Sequence, residues 1–178
     1  MDTALLVIAD ASLVSGVVML VVAALHDVVA RTVPNGIALA VAAAGLVAQT
    51  SLSLMGAGHI LISVPAALVV FVLAALLWRR GLMGGADVKL FGASALLVPP
   101  LLVPSMVAAI TIAGGGLAII YLITRRRLAR AGGSRPSGLV ARAMRAERWR
   151  MRRGGPLPYA VAIAGGVVFI LSRGGVLS

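Results

Sequence analysis

The 178-residue chain has no cysteine, only two histidines, His26 and His59, and only five acidic residues. Without cysteine, disulfides, thiolate-held zinc and thiol nucleophiles are all excluded. Two histidines are too few for a histidine-based metal site unless carboxylates help, so no metal and no cofactor is expected. Charged residues of either sign make up 12% of the chain against 61% hydrophobic, where soluble domains carry about 25% charged. A soluble domain of this length cannot hide so much apolar surface.

What is present is a series of uncharged runs: 11–25, 36–59, 60–78, 90–124 and 154–172. A helix needs about 20 apolar residues to cross ~30 Å of hydrocarbon, so these runs read as membrane spans of an all-α polytopic protein. The first run is read as a span rather than a secretory signal, because the N-terminus before it carries Asp2 and Asp10 and no Lys or Arg. The long run 90–124 exceeds one crossing, and "VPPLLVP" at 98–104 breaks it, since interior proline removes a backbone donor and clashes with the preceding turn. Its first half is short, so the helix bearing Leu90 is expected to start within the membrane boundary.

The net charge of +11 suggests nucleic acid until the charges are located. Eleven of the sixteen basic residues fall between Arg125 and Arg153. Short Lys/Arg-rich loops stay cytoplasmic, which puts 26–35, 79–89 and 125–153 on one side. Parity then gives six transmembrane helices with both termini on the outer side; one span plus a re-entrant segment is the alternative for the proline-broken run. The chain reads as one membrane domain, 1–178, with a basic cytoplasmic loop, 125–153, between its last two helices. Within that loop, spaced Leu139, Val140, Met144 and Trp149 among arginines resemble an amphipathic helix on anionic lipid, a partner preferred here over nucleic acid.

This topology brings Asp27 and Asp87 to the same side, each at the end of a hydrophobic helix. Ionisable residues near a bilayer usually face the bundle interior and serve a function. Taken singly, each also fits a merely interfacial carboxylate, with Arg31 four residues after Asp27, on the same helical face if the helix continues, and Lys89 two after Asp87. Their neighbours are built for interruption. Pro34 stops one helix and Asn35 can cap the next; Gly84, Gly85 and Ala86 allow the backbone to bend and another segment to approach.

The pattern Asp27, Arg31, Val33-Pro34-Asn35, then Gly84-Gly85-Ala86-Asp87-Val88-Lys89-Leu90, resembles the type IV prepilin peptidases, and most of all the short form associated with Flp or tight-adherence pili. "PLPYAVAIAGG" at 156–166 is similar to the opening of that family's last helix. The resemblance implies a GxGD-type intramembrane aspartyl protease with Asp27 and Asp87 as its catalytic pair. It implies a substrate as well: a prepilin-like membrane protein, cut at the cytoplasmic face of the bacterial inner membrane after a glycine that ends a short basic leader. One position departs, Ala86 standing where the GxGD pattern has glycine, and alanine disfavours positive φ. The cysteine-containing region of larger members, linked to methylation of the new N-terminus, has no counterpart in this sequence.

Two carboxylates sharing one proton can hydrolyse a peptide bond without metal or covalent intermediate; which is acid and which is base stays open. Lys89 either holds a substrate carboxylate or carbonyl, or tunes Asp87, the second being preferred. Arg31 is read as an electrostatic partner of Asp27. His26 is interfacial or positions Asp27, and Pro158 with Tyr159 either lines the cleft or anchors the interface. The competing function is a non-hydrolytic transporter, or a secretion or pilus assembly subunit, using Asp27 and Asp87 as proton or cation sites. The sequence does not specify an oligomeric state.

Overall fold

The computed structural model describes residues 2–56, 59–128 and 157–174. All regular structure among them is helical: α1 Asp2–Ala30, α2 Asn35–Leu54, α3 Ile60–Arg79, α4 Gly85–Ser94, α5 Val103–Leu128 and α6 Tyr159–Arg173. Four of these, α1, α2, α3 and α5, are long and apolar enough to cross a bilayer. Their outward faces carry large apolar side chains such as Leu61, Leu39 and Ile112, as expected where the solvent is lipid rather than water. The chain is therefore a polytopic helical membrane protein. Residues 129–156, which include most of the basic loop and its amphipathic stretch, lie outside the described residues.

The proline-broken run divides where its composition predicts, but only its second half is long enough to cross a bilayer, so two of the six expected spans, α4 and α6, are shorter than a full crossing. Helix α4 starts at Gly85, ahead of Leu90, and lasts only ten residues, about 15 Å at 1.5 Å per residue. A 3-10 turn, Ala95–Leu97, an extended Val98 and a second turn, Pro100–Leu102, then lead into α5. Irregular backbone at membrane depth must be screened from lipid, and residues 91–98 are all buried. Helix α2 does the screening. Gly45 lets its backbone abut the turn, since a Cβ there would stand 2.7 Å from the Leu96 carbonyl carbon. Buried Gln49 then reaches the Leu96 and Val98 carbonyls at 3.4 and 3.5 Å, the long edge of hydrogen bonding.

The core runs along α4 and its continuation. Leu90 and Leu97 share one cluster with Leu20 of α1, Val41 of α2, Met106 and Ile110 of α5, and Ile163 of α6, all fully buried. Helix α4 packs against α2, α3 and α6, while α1 packs against α2 and α6. Gly166 of α6 faces Ile110 so closely that a Cβ would lie 2.8 Å from its backbone nitrogen, the close small-residue approach by which membrane helices gain packing contacts. The C-terminal end of α1, the start of α2, the start of α4 and the start of α6 consequently gather at one end of the bundle.

Candidate functional site

Asp27 sits in the last turn of α1 and is only 7% exposed. An apolar helix buries a carboxylate only where donors await it, and the donor here is the N-terminus of α6. The first turn of any helix leaves backbone N–H groups unpaired; that of Ala160 donates to Asp27 Oδ2 at 3.2 Å. Just before it, Pro158 (φ −75°, ψ 77°) forms the centre of an inverse γ-turn, with Tyr159 N–H donating to the Leu157 carbonyl at 2.9 Å. Buried Pro158 thereby fixes the direction in which α6 presents its free amides.

Asp87 is the third residue of α4, whose N-cap is Gly84 in an extended conformation. Its carboxylate folds back over Gly84, so that a Cβ on that glycine would stand 2.7 Å from Asp87 Oδ2. The backbone N–H of Gly84 favours the charged form of the side chain, as the third-position carboxylate of a capping box is favoured. Burial opposes it more strongly and the negative charge of Asp27 adds to burial, and together they push the Asp87 carboxyl up to about 6. The two aspartates, sixty residues apart in sequence, are thus near enough for one charge to act on the other. Tyr159 feels the charge of Asp87, and its ring packs on Gly114 of α5, where a Cβ would come within 2.7 Å of Cε2.

The surrounding motif residues take up partly unexpected positions. Helix α1 does not continue through Arg31, which adopts a left-handed φ of 58° and donates its N–H to the Asp27 carbonyl at 2.9 Å. The Arg31 guanidinium donates to Tyr121 Oη of α5 at 2.5 Å, with its central carbon 5.8 Å from the tyrosine ring centroid. It still exerts an attractive charge on Asp27. The ring of His26 meets the Thr32 carbonyl at 2.5 Å, so it secures the turn between α1 and α2.

Asn35 does not cap α2: the N-cap is Pro34 and no side-chain cap bond forms. Asn35 is the first helical residue, and its Oδ1 accepts from Lys89 Nζ at 2.9 Å. Lys89 correspondingly is not among the influences on Asp87. Two residues along a helix turn the side chain through about 200°, so Lys89 leaves α4 on the side away from Asp87. The bond it makes ties the Val33-Pro34-Asn35 turn to α4.

Ala86 lies within the right-handed helix α4, and Arg31 is the only non-glycine with positive φ among the described residues. No left-handed residue is needed at position 86, so alanine in place of glycine costs nothing in backbone conformation. Gly85 next to it lies under the Trp78 indole, with a Cβ position 3.3 Å from Nε1. Asp10 is exposed on α1. Tyr121 and the Ala160 amide are the participants that the sequence reading missed. Tyr121 is the lone hydroxyl-bearing ring near the end of an apolar helix; a backbone amide has no residue signature.

A family model described as the type IV leader peptidase family matches residues 14–119. Neither a search of curated proteins nor one of solved structures returns a match.

Proposed function

The chain belongs to the type IV leader peptidase family, and from that premise we propose that it is an aspartyl endopeptidase whose catalytic pair is Asp27 and Asp87. The observation that carries this reading is the approach of the two carboxylates from α1 and α4, close enough that the charge of Asp27 raises the proton affinity of Asp87. A water between them loses a proton to the ionised member while the protonated member donates to the scissile carbonyl oxygen. The resulting tetrahedral diol collapses with proton return to the leaving amine. With the Asp87 carboxyl pushed up to about 6 by burial and by the charge of Asp27, the pair can keep one proton to share, while the Ala160 N–H orients the Asp27 carboxylate. Exposed Gly84 and half-buried Gly85 beside Asp87 leave room for an extended substrate backbone.

The substrate is a prepilin-like membrane protein of the Flp or tight-adherence class, cut between its basic leader and its hydrophobic helix. Cleavage takes place at the cytoplasmic face of the inner membrane, where positive-inside orientation puts Arg31, Arg79, Arg80 and the 125–153 loop. That loop binds anionic lipid and repels rather than recruits a basic leader.

The test is co-expression with a prepilin that carries a glycine before its hydrophobic helix, with the new N-terminus read by mass spectrometry. Asp27→Asn and Asp87→Asn, each checked for membrane insertion, lower cleavage at least about a hundredfold, as loss of a general acid or base does. Undiminished processing by either variant would remove the aspartyl mechanism and favour a non-hydrolytic use of the pair.

A further inference from the structure

Between α2, α3 and α4 runs a groove of about 610 Å³ that the proposed chemistry does not use. Its walls are apolar: Leu39, Ala42 and Leu46 of α2, Leu68 and Phe71 of α3, and Gly92 of α4. Leu39, Leu68 and Phe71 are exposed, so the groove opens sideways, toward the bilayer. Among the described residues its polar lining is confined to one end, where Asn35 and Lys89 stand, and no carboxylate lines it. We propose that this groove is a binding site for one anionic phospholipid, its acyl chain along α2 and its phosphate on Lys89 and Asn35.

Length, charge and position favour that occupant over a peptide helix. From Asn35 to Leu46 the groove follows about 16 Å of helix, half of the ~30 Å hydrocarbon thickness, which suits a molecule confined to one leaflet. At the far end the lining stops at Leu46 of α2 and Val64 of α3, short of the α2–α3 turn, where Ile60 N–H donates to Ser53 Oγ at 3.1 Å. A transmembrane helix needs a surface about twice as long. Lys89, the one cation among the described lining residues, selects a negative headgroup, as basic pockets between membrane helices do, and it repels the basic leader that the substrate class carries. Lys89 spends one of its three donors on Asn35 and keeps two for phosphate oxygens. Lys89 also leaves α4 on the side away from Asp87, so a peptide in the groove is separated from the carboxylates by α4 itself.

The full chain is placed in nanodiscs of equal phosphatidylglycerol and phosphatidylcholine, with a photoactivatable acyl chain on one lipid at a time, and labelled peptides are mapped by mass spectrometry. Phosphatidylglycerol labels residues 35–46 and 64–71 at least fivefold more than phosphatidylcholine does. Lys89→Gln removes that preference, Lys89→Arg retains it, and Ala42→Leu, which fills the groove, lowers labelling by both lipids; thermal melting checks that each variant is folded. Equal labelling by the two lipids, labelling spread evenly over every outward face, or a preference unchanged in Lys89→Gln overturns the proposal. So does displacement of the lipid by a co-expressed prepilin whose helix cross-links to Leu39, which gives the groove to the substrate. Cleavage is not the readout, so the result is independent of the assignment of Asp27 and Asp87.

Discussion

The backbone N–H of Ala160 donates to Asp27 Oδ2 at 3.2 Å, joining residues 133 positions apart. Residue 160 lies beyond the 14–119 segment that the family model matches, yet it supplies the hydrogen bond that lets a carboxylate sit buried at the end of α1. The start of α6 is consequently part of the site, and anything that shifts α6 along α5, where Gly166 and Ile110 are in contact, also moves the donor on Asp27.

Gly84→Ala separates the position of Asp87 from the fold. The residue has φ −73° and ψ 143°, open to any side chain, so the new methyl strains no backbone. It does occupy a point 2.7 Å from Asp87 Oδ2 and drives the carboxylate off its place. A misplacement of about 1 Å costs on the order of a hundredfold in rate. Leader cleavage in membranes should fall by that order while the melting temperature in detergent stays close to that of the wild type.

Asp87 makes stability depend on pH in a direction opposite to that of an ion-paired carboxylate. Its carboxyl is raised from 3.8 to about 6 in the folded protein, so the folded state binds the proton more tightly than the unfolded one. The associated stability is fully present below about pH 4 and is lost as the pH rises through 6. At 1.36 kcal/mol per pKa unit the loss is at most ~3 kcal/mol. Asp87→Asn carries no such charge and should melt higher than the wild type at pH 8, with the gap closing by pH 4. A gap independent of pH would mean that the carboxyl titrates normally.

The four long apolar helices, the break at 98–104 and the gathering of both aspartates at one end were legible because each rests on a strong local cause: apolar length, proline geometry and the placement of arginine. The end of α1 was not. Nothing in the chemistry of arginine marks a left-handed conformation, and Tyr121, which receives its guanidinium, is 90 residues away. The Ala160 amide was invisible for a simpler reason, since every helix start offers free N–H groups and only packing decides which one meets a carboxylate. Lys89 is a different case. Its spacing of two from Asp87 already forbids contact on a helix, and its partner Asn35 stands out in the sequence as a polar residue at a helix start.

Arg31 combines a strained backbone with a useful side chain, and three variants separate the two. A non-glycine residue at φ 58° costs roughly 1–2 kcal/mol, while a hydrogen bond from a charged donor contributes about 1.5–3 kcal/mol. Arg31→Ala keeps the strain and loses the bond to Tyr121; Arg31→Gly loses both. The expected order of stability in chemical denaturation is wild type, then Arg31→Gly, then Arg31→Ala, with Tyr121→Phe below the wild type because it removes the hydroxyl alone. Arg31→Ala matching or exceeding Arg31→Gly would show that the backbone is relaxed there.

Ala86→Gly restores the glycine of the GxGD pattern and tests whether the pattern demands glycine for its backbone freedom. Residue 86 is the second residue of α4 and right-handed, a position that alanine fills at lower entropic cost than glycine by roughly 0.5–1 kcal/mol. Its methyl is partly buried against the hydrophobic core. The substitution should therefore lower the melting temperature slightly and leave leader cleavage within about twofold of the wild type, because Asp87 keeps its N-cap, its neighbour Asp27 and its burial. A rise in cleavage of tenfold or more on introducing glycine would instead mean that the helix must unwind at residue 86 for the aspartates to reach a peptide bond, and that the wild-type alanine holds the enzyme in a less active form.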